Sequence, residues 1–147
     1  LIKNVDDEIK LLDKKVKVML DELNSPIMSI PGISYVLASI ILSEIGDIQC
    51  FSTPAKLLAF SGLEPSTHQS GKYIASHSKM VKRGSKYLRW ALLQAALLTT
   101  NKTQTFKSYF QKKKSEGKHH IVCLSHVAKK LLRVIYHLEN TNTAFID

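Results

Sequence analysis

The chain is poor in the residues that usually announce a chemistry. Its 147 residues hold two cysteines, Cys50 and Cys123, each among apolar neighbours. That excludes a disulfide framework or a Cys-x-x-Cys site and points to a reduced, cytosolic setting. No apolar run reaches the roughly 18 residues of a membrane span. The opening LIKNVDDEIK is too charged for a signal peptide, and with no initiator methionine the chain reads as a piece that begins mid-protein. There is no Walker loop and no GxGxxG, and Gly71–Lys72 alone is no phosphate cradle. The histidines are His68, His77, His119, His120, His126 and His137; the adjacent pair cannot easily share one ion, and no Cys or His pair has zinc-finger spacing. Glu44 and Asp47 are isolated, and Asp6–Asp7–Glu8 lies on the first helix. No complete metal site is predicted in this chain, and there is no internal repeat or low-complexity tract.

Acid is missing from a long central stretch: none lies between Glu64 and Glu116. Residues 1–65 carry nine acids and six bases, net −3, whereas residues 66–147 carry three acids and fifteen bases, net +12. The asymmetry predicts a polyanion partner for the second half, with nucleic acid the first candidate. The alternative is a basic surface with no specific role.

What is present is mostly helical periodicity. In residues 1–24, Ile2, Ile9, Val16 and Leu23 fall seven apart, with Val5, Leu12 and Met19 three further on. This a/d pattern predicts a coiled-coil helix, and β-branched a positions lean towards a parallel dimer. The alternative is an amphipathic helix packed on its own domain or on a missing N-terminal part. Asn24–Ser25–Pro26 breaks it. The turn Pro31–Gly32–Ile33–Ser34 leads into an apolar helix ending at Gly46. It resembles a helix-hairpin-helix, whose backbone N–H groups meet a DNA phosphate; here Ser34 replaces that motif's second glycine. A tight helix–helix turn that binds nothing is the other reading. Thr53 as N-cap and Pro54 at N1 start another helix, which Gly62 ends.

Residues 63–84 are loop-like, with a short strand expected over 72–75. Gly84–Ser85 opens the strongest helix, with Leu88, Ala91, Leu92, Ala95 and Thr99 inward. Lys82, Lys86 and Arg89 form a second stripe if that helix reaches back to residue 82. A basic helix over 103–116 and a last one over 121–138 follow; in the latter Lys129, Lys130 and Arg133 face outward, and the tail TNTAFID is expected to fray. The fold class is therefore mainly α: a long coiled-coil-type helix (1–24), then a compact helical domain (25–147) containing a helix-hairpin-helix-like element.

The candidate chemistry lies between Gly62 and Arg89, GLEPSTHQSGKYIASHSKMVKRGSKYLR. Ser70–Gly71 sits in its turn-rich part, followed by Lys72, Lys79, Lys82, Arg83, Lys86 and Arg89. A hydroxyl beside cations suits attack on a phosphodiester, because charge builds on the phosphorus oxygens. His68 and His77 are near enough in sequence to hold or accept the proton. A Ser-Gly pair in a loop is, on residue types alone, more often only a turn.

The order of these features carries more than any one of them. A coiled-coil helix, then IPGIS, then FSTPAKLLAFSGLEPSTHQSGK, then KRGSKYLRWALLQAA resembles the C-terminal transposase domain of the DEDD-type insertion-sequence transposases. These are bridge-RNA-guided serine recombinases with pilin-gene invertases among their relatives. The resemblance covers about residues 25–115. It rests on Pro31–Gly32, Phe51, Gly62, Leu63, Pro65, Ser70–Gly71, Lys82–Arg83–Gly84, Leu88–Arg89 and Ala95–Ala96.

The resemblance implies DNA strand exchange in prokaryotic cytoplasm, at the nucleoid, with Ser70 joined covalently to a DNA end. It implies that Gly71 allows close DNA approach and that Gly32, Ser34, Lys72, Lys79, Lys82, Arg83, Lys86 and Arg89 meet DNA. It also implies a guide RNA, protomers paired through residues 1–24, and Mg2+ on an Asp-Glu-Asp-Asp site of an N-terminal domain absent from this chain. Two competing classes are a non-catalytic helix-hairpin-helix DNA-binding module and a purely structural dimerisation domain.

Overall fold

The computed structural model describes residues 2–64, 69–70, 73–74, 80 and 83–147. Its centre is helix α4 (Lys86–Lys102), which packs against α2 (Tyr35–Ile45), α5 (Gln104–Ser115) and α6 (His120–Thr141). The cause is visible in the residues. Leu88, Ala91, Leu92, Ala95, Ala96 and Thr99 are completely buried, and the alanines let neighbouring backbones approach. Burying a leucine such as Leu92 contributes about 2 kcal/mol. Ile41 of α2 and Val127, Leu131, Leu132 and Ile135 of α6 complete the same core. The architecture is mainly helical, as the periodicity implies.

Helix α1 (Ile2–Leu23) ends at Asn24, which adopts a left-handed conformation with φ 48°. Only its C-terminal part meets the domain: Leu20 is buried against α2, and the Tyr35 hydroxyl donates to Asp21 Oδ1 at 2.9 Å. That bond holds the Tyr35 hydroxyl above its usual pKa. The heptad residues Ile2, Val5, Ile9, Leu12, Met19 and Leu23 are exposed.

Thr53 caps α3 (Pro54–Ser61) by accepting from Lys56 N, and Gly62 ends it at φ 68°. Both features follow the sequence reading. Three others do not. The element before Pro31–Gly32 is a four-residue 3-10 turn, Pro26–Ser29, rather than an α-helix. Gly32 (φ 101°) faces the α4 backbone: a Cβ there would lie 2.9 Å from Leu98 C and Thr99 N. The glycine therefore serves close packing of a turn on a helix.

The basic stripe from Lys82 does not form on α4, because the helix starts at Lys86 with Ser85 as its N-cap. The tail is not frayed. Phe145 stacks on Phe106 at 5.8 Å and 12°, and Phe145 N donates to Ser29 Oγ at 2.8 Å. Asp147 Oδ2 and Oδ1 accept from Gln104 N and Thr105 N at 2.7 and 2.8 Å, so the chain's last residue caps α5. These backbone donors hold its carboxyl below the usual aspartate value.

Candidate nucleic-acid interface

The Ser70 segment leaves and rejoins the core at one junction. Ser85 N donates to Phe60 O at 2.9 Å, and Arg89 Nη1 donates to Ser61 O at 3.3 Å. Gly84 (φ 98°) lies so close that a Cβ would stand 2.0 Å from Phe60 O. At Gly62 a Cβ would meet Arg83 O at 2.3 Å and Arg89 Nη1 at 2.5 Å. Two glycines thus let the end of α3 and the entry to α4 lie backbone on backbone. Leu63, at the segment's start, is completely buried, and Met80, near its end, is half-buried against the core. The described residues at the two ends of the segment are thus held against the core.

Within the segment, Ser70 ends strand β1 (Gln69–Ser70), which pairs antiparallel with β2 (Tyr73–Ile74); Ser70 is opposite Tyr73. Of the strand expected over 72–75, Tyr73–Ile74 is β2, and Lys72 and Ala75 lie outside the described residues. Gly71, Lys72, Lys79 and Lys82, with His68 and His77, lie outside the described residues.

The remaining site candidates are dispersed. Arg83 and Lys86 are exposed beside the junction, with Lys86 Nζ 5.0 Å from the Tyr87 ring centroid. Arg89 is half-buried and tied to Ser61 O at the α3 C-terminus, a position that also suits a cation at a helix end. It acts as a brace. Ser34 is exposed and accepts from Leu37 N at 3.2 Å as the cap of α2. Gly32 is turned towards the α4 backbone at Leu98 and Thr99.

The structure adds a cationic surface on α5 and α6 that the sequence reading left outside the site. Lys113 and Lys118 bracket Glu116, and their hydrogen bonds hold its carboxyl at about 2; Lys113 lies 2.9 Å away. Glu116 in turn raises Lys113. Burial pushes His126 below its usual value, and the charges of Lys129, Lys113 and Lys118 push the same way. Burial also lowers Lys129, with Arg133 adding and Glu64 opposing. Lys130 lies 4.9 Å from the Tyr109 ring centroid. Among the described residues, Glu116 and Glu64 oppose Lys113, Lys118, Lys129 and Arg133 here, an excess of cations that favours polyanions, more strongly at low salt. The clue in the sequence was the net +12 of residues 66–147; which lysines converge was not readable from it.

Among the described residues, no three His, Cys, Asp or Glu side chains form a group that could hold a metal ion. No described helix is long and apolar enough to cross a membrane.

A close α3–α4 junction and a cationic flank on α5 and α6 define a class, a small helical domain with a basic face. Comparison with known proteins makes this specific. Residues 24–111 match the Transposase IS116/IS110/IS902 family, and the chain belongs to that family. The match takes in the turn at Gly32, the Ser70 segment and the whole of α4.

The chain is similar to the insertion element IS110 uncharacterized 43.6 kDa protein of Streptomyces coelicolor, 26% identical over 96% of this chain and 35% of that protein. It is 29% identical to the pilin gene-inverting protein of Moraxella bovis over 98% of this chain and 47% of that protein. It is 33% identical to the transposase for insertion sequence element IS1111A of Coxiella burnetii over 71% of this chain and 29% of that protein. The chain therefore spans less than half the length of these relatives.

Proposed function

We propose that this chain is the serine-bearing domain of a DNA transposase or site-specific recombinase, acting on DNA by covalent strand cleavage and exchange. The observation that carries the proposal is the family match across residues 24–111, which includes Ser70, together with transposase and gene-inverting relatives.

Ser70 Oγ attacks the scissile phosphorus. One P–O bond forms to the serine, and one breaks to the leaving deoxyribose oxygen. The hydroxyl proton passes, through His68, His77 or water, to that leaving oxygen. Phosphodiester number is conserved, so the strand can be rejoined without an energy source. Arg83, Lys86 and the segment lysines Lys72, Lys79 and Lys82 oppose the charge that builds on phosphorus. Gly71 lets the backbone close on DNA. Arg89 positions the segment by bracing α3 to α4. The α5–α6 cations hold the flanking backbone.

The exposed heptad face of α1 pairs two protomers, because exchange between two duplexes needs two active sites in one assembly. A guide RNA and a magnesium site belong to the full-length assembly at the nucleoid, outside these residues.

The test compares wild type with Ser70→Ala in the full-length protein, with magnesium, element DNA and guide RNA. Wild type is expected to leave a denaturant-resistant protein–DNA adduct, and Ser70→Ala to bind DNA without forming one. An adduct that persists in Ser70→Ala sinks the role of Ser70. Recombination with no adduct in either protein sinks the covalent mechanism and leaves a non-catalytic DNA-binding module.

A further inference from the structure

The outward face of α4 is occupied by groups that the chemistry above does not use. Trp90, the chain's single tryptophan, is 52% exposed, and Tyr87 is 59% exposed. At i and i+3 they share one face of the first two turns, roughly 5–6 Å apart at Cβ. Their exposure is not a failure of packing. The adjoining side of the same turns carries Leu88, Ala91 and Leu92, all completely buried. The pair stands where the Ser70 segment rejoins the core, directly after exposed Arg83 and beside Lys86, whose Nζ sits 5.0 Å from the Tyr87 ring centroid. Aliphatic groups of this face, Leu97 and Leu98, come about two turns later, at the end of the helix away from that junction. Aromatic faces coupled to cations are what unpaired nucleobases and their phosphates need: the ring stacks on the base and the cation meets the backbone. A protein partner would favour the aliphatic end, where no cation intervenes before Lys102.

We propose that Tyr87 and Trp90, flanked by Arg83 and Lys86, form a stacking platform for unpaired nucleotides next to the serine loop. It rests on the reading of the chain as a DNA-handling domain. Strand exchange leaves nucleotides transiently without partners, and a platform at the loop's exit holds them near the cleavage point.

Trp90 reports its own occupancy. The chain is titrated with a fluorescein-labelled oligothymidylate and, separately, with a labelled hairpin duplex of equal charge, following anisotropy and tryptophan emission with unlabelled copies. Oligothymidylate is expected to quench Trp90, the duplex to bind with far less quenching. Trp90→Leu, which keeps apolar bulk but loses the aromatic face, is expected to weaken oligothymidylate binding about tenfold, sparing the duplex. Trp90→Phe restores most of that loss. Because Trp90 is half exposed, neither substitution empties the core, and far-UV circular dichroism checks this.

If both DNAs bind without quenching, or if Trp90→Leu changes their affinities equally, the platform is overturned while DNA binding stands. Binding of neither DNA at low salt overturns the DNA reading itself. Conversion of a self-associated chain to a smaller species by Trp90→Leu, with oligothymidylate affinity intact, assigns the face to a second copy and also overturns the platform.

Discussion

The hydroxyl of Ser85 donates to Glu44 Oε2 at 2.6 Å while its oxygen accepts from Leu88 N at 3.0 Å, so one side chain both caps α4 and ties it to α2. Removing it leaves an uncapped helix and a half-buried carboxylate short of a donor. Ser85→Ala is expected to cost about 1–2 kcal/mol in urea unfolding. Ser85→Asp keeps a capping acceptor but sets it against Glu44, and should recover none of the loss. Full recovery with aspartate would show that only the cap matters.

Gly84 combines φ 98° with a Cβ position 2.0 Å from Phe60 O, a backbone atom that cannot swing away. Gly84→Ala is expected to destabilise by about 2–4 kcal/mol, from backbone strain plus displacement of α3. Thermal unfolding measures it. A loss below about 1 kcal/mol would mean that the junction adjusts freely and does not anchor the loop.

Glu116 neutralises Lys113 and Lys118 on the α5–α6 surface. Glu116→Gln is expected to tighten duplex DNA binding about twofold to fivefold at low salt, with the gain fading as salt rises. Its carboxyl is held at about 2, below the ordinary 4.5, so the native pairing is complete above pH 4.5 and is lost as pH falls towards 2. The variant's advantage should therefore be full at neutral pH. Unchanged affinity in fluorescence anisotropy would remove this surface from the interface.

Asp147 caps α5 across more than forty residues of sequence. Asp147→Ala is expected to raise hydrogen exchange at Gln104, Thr105 and Phe106 while leaving α6 protected. The folded carboxyl titrates below the usual aspartate value, so its contribution is present above about pH 3.9 and is lost as pH falls through that lower range. The difference between wild type and variant should close there. A uniform rise in exchange over the whole domain would instead mark global destabilisation.

On α1, Leu12 is exposed within the heptad face and contributes nothing to the domain core. Leu12→Asp should convert a dimer to a monomer in sedimentation equilibrium with unchanged unfolding of the helical domain. A wild-type chain that is monomeric at high concentration would count against pairing through α1.

Much of the secondary structure was readable before the fold. Thr53–Pro54, Gly62, Ser85 and the inward face of α4 were legible because their causes are local: caps act within three residues, and helical periodicity shows within two turns. The break at Asn24–Ser25–Pro26 is local in the same way. The candidate site was legible only as a composition, a serine among cations in an acid-free stretch.

What tertiary structure decided are relationships between residues far apart in the chain. Gly32 is a glycine because α4 crosses it at Leu98 and Thr99. Arg89 braces Ser61, Phe145 covers Phe106, and Asp147 reaches the start of α5. The lysines of α5 and α6 became one surface only when the two helices packed side by side. Sequence encodes such contacts jointly, through the shape and charge of surfaces that meet only in the folded chain. A local pattern can therefore say which residues face inward, but not which partner each will meet there.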